Sequence, residues 1–73
     1  MKRFTIRVDS VTYSVWQNAK FYHVLENGTE ILKLRVTVGK NVAFYWETEE
    51  GHISHIINKI GLAIELHDIT SYV

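Results

Sequence analysis

The stretch from residue 30 to residue 47 constrains the fold most, because apolar and polar side chains alternate on both sides of a single turn. Its first half places four apolar side chains on one side, at every second position: Leu32, Leu34, Val36 and Val38. After a turn at residues 39–41, the second half continues the same face with Val42, Phe44 and Trp46. Alternation of this kind is typical of strands with one buried face. The stretch therefore predicts a β-hairpin, whose apolar face other segments must cover because an isolated ribbon is marginal in water.

The beginning of the chain shows the same alternation. Phe4, Ile6 and Val8 are separated by polar residues, and the flanking positions carry charge at Arg3 and Arg7. This pattern predicts a first strand over residues 3–9 with a charged outer face.

Residues 10–26 have two interpretations. As strands over 11–16 and 20–26, they are joined at residues 18–19 and followed by an Asn27-Gly28 hairpin turn. As a helix, they begin after Asp9 or Ser10 as N-cap and end before Gly28. The many β-branched and aromatic side chains favour strands, and the helical arrangement of the apolar residues is poor. We predict strands and keep the helix as the alternative.

The last third of the chain predicts a helix and a closing strand. Four isoleucines follow the spacing of one helical face, namely Ile53, Ile56, Ile57 and Ile60. Gly61 is a typical residue just after a helix end, so the helix is expected over about 52–60. Leu62, Ile64 and Leu66 then alternate with polar or small residues, which predicts a final strand.

Together these segments predict a single domain over residues 1–73, in the α+β class and mostly β. The expected architecture is an antiparallel meander or curled sheet of about six strands, with one short helix before the last strand. If residues 10–26 are helical, the order becomes βαββαβ, which is the ferredoxin-like arrangement.

Composition argues against several classes of function. The formal net charge is zero, whereas proteins that hold nucleic acid through its phosphates usually carry a positive excess. The chain contains no cysteine, no Gly-x-Ser-x-Gly motif and no glycine-rich phosphate loop. We therefore expect no enzymatic activity and no cofactor. The sequence shows neither a signal peptide nor an apolar run of membrane-spanning length, so a cytoplasmic protein without a membrane partner is expected.

Protein binding is the predicted function, of the inhibitor or adaptor type and with a possible homodimer. Two Trp, four Tyr and three Phe in 73 residues exceed what a small core easily conceals. Amphipathic rings and arginines are the usual anchors of protein interfaces. The residues expected to contact the partner protein, whose identity the sequence does not give, are Trp16, Tyr22, Arg35 and Tyr45.

Two alternative functions follow from other residues. A basic and aromatic sheet face could bind single-stranded RNA or another nucleic acid by stacking, and its residues would be Arg7, Lys33, Arg35 and Tyr45, with Arg3 on the same face. His52 and His55 lie three residues apart and could share a metal ion in a metal- or ligand-binding regulator. A pair of solvated surface histidines explains the same spacing, so no metal site is predicted.

Overall fold

The computed structural model describes residues 2–40 and 44–70, which form one antiparallel sheet and one helix. The elements in chain order are β1 (Lys2–Val8), β2 (Val11–Asn18), β3 (Phe21–Glu26), β4 (Thr29–Val38), β5 (Phe44–Thr48) and α1 (His55–Thr70). Each strand pairs with its neighbours in the chain, so the sheet is a meander in the order β1-β2-β3-β4-β5. The predicted α+β, mostly β meander is therefore confirmed, but with five strands rather than about six.

The hairpin predicted from residues 30–47 is β4 and β5. Val36 pairs with Trp46 and Val38 with Phe44, so the predicted apolar face is continuous across the two strands. Asn41 of the predicted turn and Val42 lie outside the described residues.

Residues 10–26 are extended, so the helical alternative is wrong. They form β2 and β3, and the backbone reverses through left-handed conformations at the turns. Asp9 and Ser10 have φ values of 50° and 68°, and Asn27 and Gly28 have 52° and 80°. Two consecutive positive φ values characterise the type I′ turns that match the twist of paired strands. The β-branched and aromatic side chains of this segment therefore occupy alternating faces of a sheet, as their propensities favour.

The predicted closing strand is the second half of a longer helix. We expected a helix over about 52–60, a stop at Gly61 and a strand from Leu62 to Leu66, whereas α1 runs without interruption from His55 to Thr70. Its buried residues Ile57, Ile60 and Ile64 continue one helical stripe through the segment that also alternates. Both periods fit the short apolar run, and packing on the sheet decides between them. No helix within residues 2–40 and 44–70 combines the length and apolar character needed to cross a membrane.

Ser54 marks the start of this helix, and Gly61 has a different role from the expected helix end. Ser54 acts as the N-cap, since its Oγ accepts a hydrogen bond from the backbone N–H of Ile57 at 3.3 Å. Gly61 lies inside the helix and is buried. A Cβ built at Gly61 would lie 2.2 Å from Cγ of Trp46. The glycine is therefore a contact point where the indole ring packs against the helix backbone.

The core lies between the helix and one face of the sheet. Within the described ranges, ten buried apolar residues form it: Ile6, Val8, Tyr13, Val15, Val24, Leu34, Trp46, Ile57, Ile60 and Ile64. The helix packs against β1 and β5, which are the strands at the opposite edges of the sheet. Five strands spaced about 4.8 Å apart span much more than the width of one helix. The sheet therefore curls around the helix, and its other face, which we call the open face, is convex.

Candidate binding surfaces

The open face carries the charged and aromatic residues that strand alternation predicted to point outward. In cross-strand register, Arg3 faces Trp16, Trp16 faces His23, and His23 faces Lys33. The Trp16 and His23 rings are stacked, with centroids 3.8 Å apart and planes 6° from parallel. His23 Nδ1 lies 2.6 Å from Glu30 Oε1. This row combines a cation, a stacked ring pair and a second cation across four strands.

Two basic residues of the open face are bound to glutamates. Arg35 Nε donates to Glu47 Oε1 at 2.9 Å, and the Thr37 hydroxyl donates to the same oxygen at 2.6 Å. The Thr37 hydrogen bond, followed by that of Arg35, holds the pKa of Glu47 below its usual range. Lys33 pairs with Glu49 in the same way and lowers the pKa of that carboxyl. These ion pairs neutralise part of the positive charge on the face.

Replacing Glu47 with Gln should remove a pH-dependent part of the stability. A carboxyl whose pKa is lower in the folded state stabilises the fold above its ordinary pKa of about 4.3, and this contribution is lost as the pH falls through the lowered value. Wild type should therefore melt at a higher temperature than Glu47→Gln at pH 7, and the gap should narrow below about pH 4. Melting curves of both proteins, recorded from pH 7 to strong acid, measure this difference in melting temperature. Exposed Glu50 has no ion-pair partner in the described part of the chain, so Glu50→Gln is the control. A gap independent of pH would contradict the role assigned to Glu47.

The residues predicted to bind nucleic acid do share one face of the sheet, but only some of their positive charges are unpaired. Arg7, Lys33, Arg35 and Tyr45 all belong to the open face by strand alternation and register. Lys33 and Arg35 are ion-paired with Glu49 and Glu47, as described above. Among the described residues, Arg3 and Arg7 have no ion-pair partner. The unneutralised positive charge is therefore concentrated on β1 rather than spread across the face.

The four residues predicted to contact a protein partner are divided between the two faces of the sheet. Trp16 and Arg35 are half-buried on the open face, and Tyr45 is exposed there near the start of β5. Tyr22 lies on the helix side, where its ring meets Trp46 edge-on at 5.2 Å and its hydroxyl donates to Asp68 at 3.4 Å. The structure thus brings three of the four onto one face and uses Tyr22 in packing beside the helix.

A groove crosses the open face between β1, β2 and the end of β3. It has a volume of about 510 Å³, and we call it the β1–β3 groove. Its lining consists of Arg3, Phe4, Thr5, Ser14, Val15, Trp16, Leu25 and Gly28. A register shift between Val24 and Leu25 bends β3 at this point, and bulges of this kind increase local twist. Sequence alternation placed Arg3 on the outer face, but only the strand register shows which residues lie beside it.

On the other side of the sheet, apolar residues remain exposed on the hairpin that carries Trp46 and on α1. We call this set the helix-side patch; its members, between 41% and 67% exposed, are Val36, Val38, Phe44, Leu62 and Leu66. Trp46 pairs with Val36 and donates from Nε1 to Glu65 at 2.9 Å, while Gly61 packs on its ring. Leu62 and Leu66 are four residues apart and therefore share one side of the helix, which lies about 100° around the helix axis from the side of Gly61 and Glu65. The strand residues belong to the predicted apolar face, but the end of the hairpin extends beyond the cover that the helix supplies.

The two histidines considered for metal binding are both exposed. His52 lies in the segment before the helix, and His55 is the first helical residue. In residues 2–40 and 44–70, no group of three or more His, Cys, Asp or Glu side chains could hold a metal ion. His67 lies further along the helix and stacks on Phe4 with ring centroids 4.0 Å apart.

Comparisons with known proteins add no relative: no family model matches the chain, and neither the curated proteins nor the solved structures contain a significant match.

Proposed function

We propose that the chain is a non-enzymatic protein-binding module, of the inhibitor or adaptor type, that works as a homodimer assembled through the helix-side patch. The observation that carries the proposal is the exposure of five apolar side chains on the helix side of the sheet, three on the hairpin of β4 and β5 and two on α1. Phe44 is 67% and Val38 59% exposed on the sheet face whose other end the helix covers. Monomeric proteins rarely expose contiguous apolar patches larger than a few hundred Å².

The size of the patch supports a second copy as its occupant. The exposed fractions of the five residues correspond to an area on the order of 500 Å², the size of the largest apolar patch of a typical monomer, which is often a functional contact. A standard interface takes about 800 Å² from each partner, so the patch supplies more than half of one side. In a two-fold dimer the same patch serves both copies and needs only to match itself. A chain of this length also forms a small core, and association adds the apolar burial that it lacks.

Replacing Phe44 with Glu should dissociate the dimer. Two-fold symmetry introduces the change twice, and each carboxylate would lose its water next to apolar side chains. We expect the dissociation constant to rise at least about tenfold, which corresponds to about 1.4 kcal/mol. Sedimentation equilibrium across the micromolar range measures it. The helical circular dichroism should be unchanged because Phe44 is exposed.

Tyr45→Glu is the matched control, since Tyr45 is the next residue along β5 and points to the open face. It should leave the dimer intact. A wild-type chain that stays monomeric throughout the micromolar range would overturn the homodimer. Dissociation by Tyr45→Glu but not by Phe44→Glu would instead place the contact on the open face.

A further inference from the structure

We infer that the β1–β3 groove binds an extended acidic peptide segment in which two carboxylates flank an apolar or aromatic side chain. The inference rests on the proposal that the chain acts by binding protein, but not on the homodimer. It names the chemistry of the partner and the residues that recognise it.

The positive charge along the groove favours an anionic ligand. Arg3 lines the groove, and Arg7 lies four residues further along the open face of β1. Neither guanidinium has an ion-pair partner within the described ranges, in contrast to Lys33 and Arg35. Guanidinium groups present paired N–H donors that match a carboxylate. The two arginines are therefore the cations of this face that are available to a ligand.

The distance between the two arginines matches a peptide ligand in an extended conformation. Residues four apart in a strand lie about 13 Å apart on the same face. Two carboxylates four residues apart in an extended peptide have the same separation. A peptide running along β1 can therefore place one carboxylate at each arginine, with its middle side chain over Thr5.

The middle of the groove accepts that side chain. Thr5 pairs with Ser14, and Ser14 with Leu25, in a row of small or apolar side chains beside the half-buried Trp16 ring. Gly28 has no atom within 4 Å of the position of its missing Cβ, so the end of the groove is open. Aromatic ligand groups gain from packing against an indole ring, and the two hydroxyls can donate to or accept from the peptide backbone.

A peptide fits this surface better than a nucleic acid. Phosphate binding depends on the accumulation of positive charge, whereas Glu47 and Glu49 pair with the two cations of β4 and Glu30 contacts His23 on β3. Two unpaired arginines on one strand match two carboxylates, but they give a long phosphate backbone few contacts.

The test uses a fluorescein-labelled peptide with the core Glu-Ser-Phe-Ser-Glu and a matched peptide in which Gln replaces both Glu. Fluorescence anisotropy at low salt should show binding of the acidic peptide and at least about tenfold weaker binding of the neutral one. Arg3→Gln should weaken binding of the acidic peptide by about fivefold to tenfold, which lies between the values for an exposed ion pair and for a buried charge-assisted hydrogen bond. Ser14→Leu, which fills the middle of the groove, should weaken binding of the acidic peptide more than Arg3→Gln does. Lys20→Gln removes the same charge from an exposed turn and should change affinity less than twofold.

The two tryptophans report the location of binding. In proton–nitrogen NMR spectra, the acidic peptide should shift the indole N–H resonance of Trp16, which lines the groove. It should leave that of Trp46, which is hydrogen-bonded to Glu65 on the other face, unchanged. The Phe44→Glu variant should bind the peptide with the same affinity as wild type, so loss of the dimer and loss of the groove are separate results.

Three outcomes would overturn the inference. The first is equal affinity for the acidic and neutral peptides, and the second is a peptide shift confined to Trp46. The third is binding of single-stranded oligouridine RNA that Arg3→Gln abolishes, with no binding of the acidic peptide, which would assign the groove to nucleic acid.

Discussion

Replacing Gly61 with Ala is expected to lower the free energy of unfolding by about 3 kcal/mol, although alanine is the better helix former. In an exposed helix the change would stabilise by about 1 kcal/mol. Here the new Cβ would lie 2.2 Å from Cγ and 2.3 Å from Cδ1 of Trp46. The buried ring or the helix must move, and overpacking of this kind costs about 1–3 kcal/mol or more. Since 1 kcal/mol shifts the melting temperature of so small a domain by about 4–8 °C, a thermal melt should show a fall of more than about 10 °C.

A double-mutant cycle separates this clash from other causes. In a Trp46→Ala background the ring is absent, so Gly61→Ala should stabilise by up to about 1 kcal/mol through helix propensity. An osmolyte such as trimethylamine N-oxide keeps the weakened background folded during the measurement. A higher melting temperature for Gly61→Ala in the wild-type background would refute the close contact between Gly61 and Trp46.

Replacing Ile64 with Ala should lower the free energy of unfolding by about 3–4 kcal/mol. Ile64 is fully buried in the middle of the core, and large-to-small changes at such sites cost about 2–5 kcal/mol through lost transfer energy and cavity formation. Denaturant unfolding followed by circular dichroism measures the loss, which should appear as a lower midpoint with an unchanged slope.

Ile56→Ala is the matched control for Ile64→Ala. Both isoleucines lie in α1 and gain the same helix propensity on replacement, but Ile56 is 42% exposed. Its replacement should cost less than about 1 kcal/mol. Equal costs at the two positions would contradict the burial of this helix face and favour a strand over residues 62–66.

The sheet could be predicted from sequence because each hairpin has a local explanation. The alternation in residues 30–47 specifies which side chains share a face, and Asn27-Gly28 supplies the turn before it. The turns at Asp9-Ser10 and near Ala19 were harder to recognise, because these residues adopt positive φ less readily than Gly. There the β-branched and aromatic side chains of β2 and β3 decided between strand and helix.

The second half of the helix could not be predicted because its sequence fits two periods. Leu62, Ile64 and Leu66 alternate as a strand would, and Gly61 before them resembles a helix stop. The deciding fact is tertiary, since Gly61 packs against a tryptophan that lies fifteen residues earlier in the chain. A single sequence contains no local sign that distinguishes a glycine at a helix end from one beneath a ring.

The candidate surfaces were accessible to sequence reasoning only in part. Alternation correctly places Arg3, Arg7 and Lys33 on one face, but ion pairs such as Arg35 with Glu47 depend on strand register. The sequence also contains no local pattern that shows how much of the apolar sheet face the helix covers. Phe44 belongs to the apolar face by its position, and its exposure follows from where the helix lies.

The location of the patch and the groove on opposite faces of a single sheet has a consequence for valency. Two copies joined through their helix sides would each turn the convex face outward, so a dimer would present two grooves at once. A partner with two acidic segments on a flexible tether would bind the second groove as an intramolecular event. Avidity of this kind can exceed the affinity of one groove by about 10²–10⁴-fold without any new contact, so a weak individual site would suffice for firm capture.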